Sequence, residues 1–177
     1  MTIKRGFTLI ELIVVMLVVV ILGVVTVPKL INLGELRLHM AIRKVAQDMR
    51  YAHEYAVNNN CRTKMVFSGD TYSVYENSSG SWQIMKDPTT KENFTVLLNI
   101  GEYRGVGVKS INFDGTSEVI FDSVGRPYKA GEVLLQSAGT AQLKVDLPAG
   151  EKISDVFVDP DTGRIYVGME SQYHFSS

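Results

Sequence analysis

Glu11 is the charged residue whose surroundings most need an explanation. It is the sole charge between Phe7 and Val27, in a 21-residue run otherwise made of Leu, Ile, Val, Met, Thr, Phe and one Gly. As a helix that run is about 31 Å long, close to the ~30 Å hydrocarbon thickness of a bilayer. A carboxylate at membrane depth costs about 2.5–3.5 kcal/mol on insertion scales, so it calls for a partner. Lys4 and Arg5 precede the run, and the positive-inside rule then keeps the N-terminus cytoplasmic. A secretory signal peptide has a shorter apolar core, about 7–15 residues, and a small-residue cleavage site after it. Here Thr26-Val-Pro28-Lys29 follows instead. A plain anchor is a second reading, but it leaves Glu11 without a role.

The remaining chemistry-bearing residues form no catalytic set. His39 and His53 are fourteen residues apart and His174 is distant, while Cys61 is the single cysteine. That excludes an intrachain disulfide and gives a zinc site little to use. Cys61 reads as a strand-start residue without a positioned base. Gly101, Gly105 and Gly107 lack the lysine of a phosphate loop and read as an inter-strand loop. Asp159-Pro-Asp161-Thr-Gly163 resembles the opening of a calcium loop, with Glu170 at the twelfth position, but Arg164–Val167 between them reads as a strand. A tight turn is expected there. No cofactor is implied.

The 177 residues carry 18 Lys and Arg against 19 Asp and Glu, net −1. That balance excludes a strongly basic nucleic-acid protein, whose affinity rests on phosphate contacts. Arg62 and Lys64 share a strand face, and Arg104, Lys109, Arg126 and Lys129 are scattered. Tyr72, Tyr75 and Trp82 fall on adjacent expected strands, either as core or as a patch for another subunit or an exported protein.

The elements that position these residues follow from periodicity. Leu38, Ile42, Val45, Met49, Ala52 and Ala56 recur at spacings of 4, 3, 4, 3 and 4, one stripe of an amphipathic helix. Arg43, Lys44, Gln47, Asp48, Arg50 and Glu54 fall largely off it. Pro28 should kink or loosen the helix, and Asn58-Asn59-Asn60 should end it. Beyond Cys61 the pattern is extended. Strands are expected at Arg62–Phe67, Thr71–Glu76 and Ser81–Met85 as a meander. Others are expected at Thr95–Ile100, Val106–Phe113, Glu118–Asp122, Glu132–Gln136, Gln142–Leu147, Asp155–Val158 and Arg164–Val167. The fold class is α+β: a long N-terminal hydrophobic helix, lollipop-like, packed on an antiparallel β-sandwich-like head.

The stretch Lys4-Arg5-Gly6-Phe7-Thr-Leu-Ile-Glu11 resembles the processing site of type IV prepilins and type II secretion pseudopilins. The resemblance implies cleavage between Gly6 and Phe7 by a prepilin peptidase. It also implies N-methylation of the new amine on Phe7 and retention of the apolar helix. Glu11 would then pair with the N-terminal amine of a neighbouring subunit, specifying axial register more than stability. Pro28 matches the family's helix proline. Val45–Val57, Val119–Pro127 and Asp159–Tyr166 are similar to the GspH and FimT group. Four segments are implied: a leader at 1–6, a transmembrane or filament helix at 7–28, its amphipathic continuation at 29–60 and a β-rich head at 61–177. The implied protein is a non-enzymatic minor pseudopilin or minor pilin of the inner membrane with a periplasmic head. Its partners would be the peptidase, other pilin-like subunits and an exported protein. The alternative is a DNA-binding minor pilin for DNA uptake.

Overall fold

The computed structural model describes residues 8–31, 33–148 and 150–169. The chain divides into two compact units, Met1–Leu33 and Gly34–Ser177. The first contains helix α1, Leu9–Ile31. Pro28 falls inside α1, which runs on for three residues beyond it.

The second unit is built on helix α2, Leu33–Asn58. Its expected stripe is buried, together with Ala41 and Ala46. The alanines let the helix backbone approach the sheets closely, while Ile42, Val45 and Met49 fill the space between. The polar triplet ends the helix in a definite way. Asn60 takes a left-handed φ of 49°, Asn60 N–H donates to Val57 O, and Cys61 N–H donates to Ala56 O. This is a Schellman motif, in which the residue after the left-handed position packs back on the helix. Cys61 occupies that position and is buried, so its role is that of a small apolar side chain. Burial pushes its thiol pKa up, with the nearby Glu76 carboxylate adding to the effect.

Eleven strands follow in the described residues: β1 Arg62–Ser68, β2 Thr71–Asn77, β3 Gln83–Ile84, β4 Thr95–Leu97, β5 Val106–Asn112, β6 Glu118–Phe121, β7 Pro127–Lys129, β8 Val133–Leu134, β9 Gly139–Leu147, β10 Gly150–Val158 and β11 Ile165–Met169. They form two antiparallel sheets. One has seven strands in the order β3-β2-β1-β6-β7-β8, with β4 also on β2; the other runs β11-β10-β9-β5. Thr63, Met65 and Phe67 alternate into the core as their spacing requires. One cluster joins α2 to inward residues of both sheets, including Val74, Phe121, Leu143 and Val156. The fold class is the expected α+β.

Some details differ from the sequence reading. β7 opens on a proline and went unforeseen; as the first residue of a strand, Pro127 loses no required ladder donor. β10 begins five residues earlier than expected, because β9 and β10 form one long hairpin. Gly107 lies within β5, in the strand expected at Val106–Phe113 and not in the inter-strand loop. Asp48 faces the core, not solvent.

Two turns close one end of the sheets, Asp122–Arg126 between β6 and β7 and Asp159–Arg164 between β10 and β11. Each places a glycine at positive φ, 85° at Gly125 and 68° at Gly163. A Cβ on Gly163 would lie 2.1 Å from Gly125 O, and one on Gly125 would lie 2.7 Å from His53 Nε2. Two backbone turns and the His53 ring therefore meet where no methyl fits. Gly163→Ala adds left-handed strain to a clash with backbone that cannot move aside. It is expected to cost about 2–4 kcal/mol, read as a lowered midpoint in denaturant unfolding. Gly131→Ala, also at positive φ but facing open space, should cost about 1–2 kcal/mol, the strain alone.

Candidate functional site

Helix α1 starts at a local sequence signal. Thr8-Leu-Ile-Glu11 has the spacing of a capping box. Glu11 N–H lies 3.4 Å from Thr8 Oγ1 and 3.1 Å from Thr8 O. Glu11 therefore sits in the first turn, where the helix dipole favours an anion. From Leu9 to Leu22 the apolar side chains expose between 47% and 78% of their surface, on every face of that stretch. Among the described residues no helix is long and apolar enough to cross a membrane; the 21-residue run belongs to the full sequence. Gly6 and Phe7 lie outside the described residues, as does Glu170.

The head is fastened to α2 by polar contacts buried among apolar ones. Asp48 accepts from Tyr72 OH at 2.6 Å and from Lys44 Nζ at 2.7 Å. Burial raises its pKa, against the pull of Lys44 and Tyr72. Tyr72 is thus a core residue, and its hydroxyl pKa is raised by burial and by Asp48. Thr63 Oγ1 donates to Ala52 O at 2.8 Å. Tyr55 OH donates to Glu76 at 2.8 Å, a bond that pushes its pKa up to about 12. Removing one partner of such a set leaves the other buried and unsatisfied.

The other sequence candidates find structural positions. His53 Nε2 is 3.1 Å from Gly125 O, and its ring meets Phe121 edge-on. His39 sits separately, lining a cavity with Arg43 and Arg50. Asp159 Oδ1 accepts the N–H groups of Asp161 and Thr162 and the Thr162 hydroxyl, so this oxygen caps a turn. Tyr75 and Trp82 are half-buried and flank Lys64, whose ammonium lies 4.8 Å from the Trp82 ring centre. The cations considered for DNA are largely engaged. Arg62 pairs with Glu132, Lys64 with Glu118, Lys109 with Glu151 and Arg126 with Asp122.

Residues 41–149 match the family described as type II transport protein GspH. The chain belongs to the GspH family. Residues 1–27 match the prokaryotic N-terminal methylation motif. No curated protein sequence matches the chain. Among solved structures it is similar to the minor pseudopilin EpsH from the type 2 secretion system of Vibrio cholerae. The identity is 8% with a TM-score of 0.56, over 77% of this chain and 99% of that one. A second EpsH structure gives 8%, 0.54, 78% and 97%. The Pseudomonas aeruginosa type IV minor pilin FimU gives 16%, 0.48, 78% and 98%. The EpsH likeness establishes the fold: a GspH-family helix followed by antiparallel sheets.

The turn aspartates make stability depend on acid. Burial alone would raise Asp122, but bonds from Arg126 N–H, Tyr128 OH, Val124 N–H and the Arg126 guanidinium hold it below the ordinary carboxylate value. Thr162 N–H leads the groups that lower Asp159. A lowered folded pKa gives stability that is full above the unfolded value, about 3.9, and lost as pH falls through the folded one. Asp48, raised, has the opposite sign, its contribution fading as pH rises through its folded pKa. The thermal midpoint should fall between pH about 4 and about 2. The variant Asp122→Asn/Asp159→Asn should lose less of its own midpoint over that interval in a pH-resolved melt.

Proposed function

We propose that this GspH-family chain is a minor pseudopilin or minor pilin, processed at its N-terminus and built into a filament through α1. The observation that carries the reading is the order of features at the start. A basic leader and Gly6-Phe7 precede a helix that is apolar and uncovered, with a carboxylate in its first turn. In this reading a prepilin peptidase cuts between Gly6 and Phe7 and methylates Phe7. The sequence from Phe7 to Val27 holds the precursor in the inner membrane, with the head in the periplasm. Residues 7–28 then serve as membrane and filament helix, with Pro28 giving the kink expected near its end. Residues 29–60 join it to a head at 61–177. Glu11 receives the N-terminal amine of a neighbouring subunit. The match of residues 1–27 to the N-terminal methylation motif supports the processing. The function is structural, not catalytic, and serves secretion or pilus assembly.

Two outcomes test this. Mass spectrometry of the native protein should find a chain starting at N-methylated Phe7; an intact Met1 or a start after Val27 contradicts it. Glu11 carries both hydrogen-bonding capacity and charge, and the two can be separated. Gln also serves at the third position of a capping box but carries no charge. Glu11→Gln should therefore insert into the membrane normally and fail to enter filaments, as Glu11→Ala should. Normal assembly of Glu11→Gln would contradict the amine-pairing role.

A further inference from the structure

The end strand of the smaller sheet meets a basic face of α2. Among the described residues β11 pairs with β10 alone. Ile165 stands opposite Val158, and Asp159 N–H donates to Arg164 O. In an antiparallel ladder that makes Ile165 and Val158 a non-hydrogen-bonded pair. The N–H and C=O groups of Ile165 and Val167 therefore point away from β10. Arg50 Nη2 confirms the direction, donating to Ile165 O at 2.9 Å. Val167 has no such partner among the described residues.

Beside this edge lies a cavity of about 370 Å³ lined by His39, Ile42, Arg43, Gln47, Arg50 and Val167. Ile42 and Val167 give it an apolar floor. His39, Arg43, Gln47 and Arg50, spaced by 4, 4 and 3, form one wall from a single helix face. Among the described residues no carboxylate lines it and neither Arg43 nor Arg50 is ion-paired. From His39 to Arg50 the wall is about 16 Å long, the length of a strand of about five residues. A strand edge with open backbone groups, here those of Val167, is a template for another strand. Here it is framed by cations.

We propose that this edge accepts an extended acidic segment of another protein, which adds a strand to β11 and sets its carboxylates against Arg43 and Arg50. Backbone pairing at Val167 supplies the affinity and the arginines select the charge. A second copy of this chain is a poorer occupant. Its own edge strand, Ile165-Tyr-Val-Gly-Met169, has no acid, so the arginines would stay unpaired and face one another. The proposal does not depend on processing at Phe7.

The test uses the full chain in detergent micelles and fluorescence anisotropy with two labelled hexapeptides, Val-Glu-Val-Glu-Val-Glu and its lysine counterpart. The glutamate peptide should bind and the lysine peptide should not. Arg43→Glu should weaken binding about tenfold or more. Val167→Pro deletes the outward donor but none of the bonds to β10, a position where an edge strand tolerates proline. It should weaken binding about tenfold as well. Binding of the lysine peptide equal to that of the glutamate peptide overturns the proposal. So does binding that neither variant weakens. A chain lacking Glu170–Ser177 distinguishes the remaining occupant. If that deletion tightens binding about tenfold or more, the groove belongs to the chain's own tail and the proposal fails.

Discussion

The exposed apolar stretch Leu9–Leu22 is the constraint on which the rest of the molecule depends. Each Leu, Ile or Val removed from water gains about 1.5–3 kcal/mol. The exposed run from Leu9 to Leu22 therefore represents on the order of tens of kcal/mol in favour of any apolar surroundings. Lipid or neighbouring helices supply such surroundings equally, so the apolar residues give insertion and little selectivity. In the proposed filament, selectivity would fall to Glu11. A lone carboxylate is costly in low dielectric and a paired one less so. One charge can thus choose a register that a uniform apolar surface cannot.

The head solves a different problem, holding two sheets to one helix strongly enough to act as a unit. The α2 stripe supplies the shared apolar layer. Buried polar groups then fix how the layer is used. Tyr72 and Lys44 must both reach Asp48, and Thr63 must reach the Ala52 carbonyl. A shift of β1 or β2 along α2 would leave several of these groups buried and unpaired, at about 1–3 kcal/mol each. At the far end the two glycine turns meet His53 with no room for a side chain. The apolar layer gives cohesion, and the polar and steric contacts give a single arrangement.

Much of this was legible in the sequence. The stripe from Leu38 to Ala56 and the alternation Thr63, Met65, Phe67 predict burial directly, because helix and strand periods differ. The turn at Asp159–Gly163 was legible from its residue types. Asp48 was not. It lies beside the stripe and reads as a surface charge, since its partner Tyr72 is brought near only by tertiary packing. The role of Cys61 depended on Asn60 taking a left-handed conformation, which fixes the cysteine as the closing residue of the helix cap. β7 was hidden because Pro127 opens it. The Thr8-to-Glu11 spacing that starts α1 is also a local sequence pattern. The free edge of β11 is a property of sheet order, which no local pattern encodes.

The central claim is that α1 finds its cover in the helices of other pilin-like subunits. Site-specific photo-crosslinking in living cells measures this directly, with a photoreactive residue placed at Val18, which is exposed on α1. The account predicts adducts to other filament subunits, lost when Glu11 is replaced by Gln while the chain stays membrane-bound. Adducts to lipid alone, or protein adducts unaffected by Glu11→Gln, would contradict it.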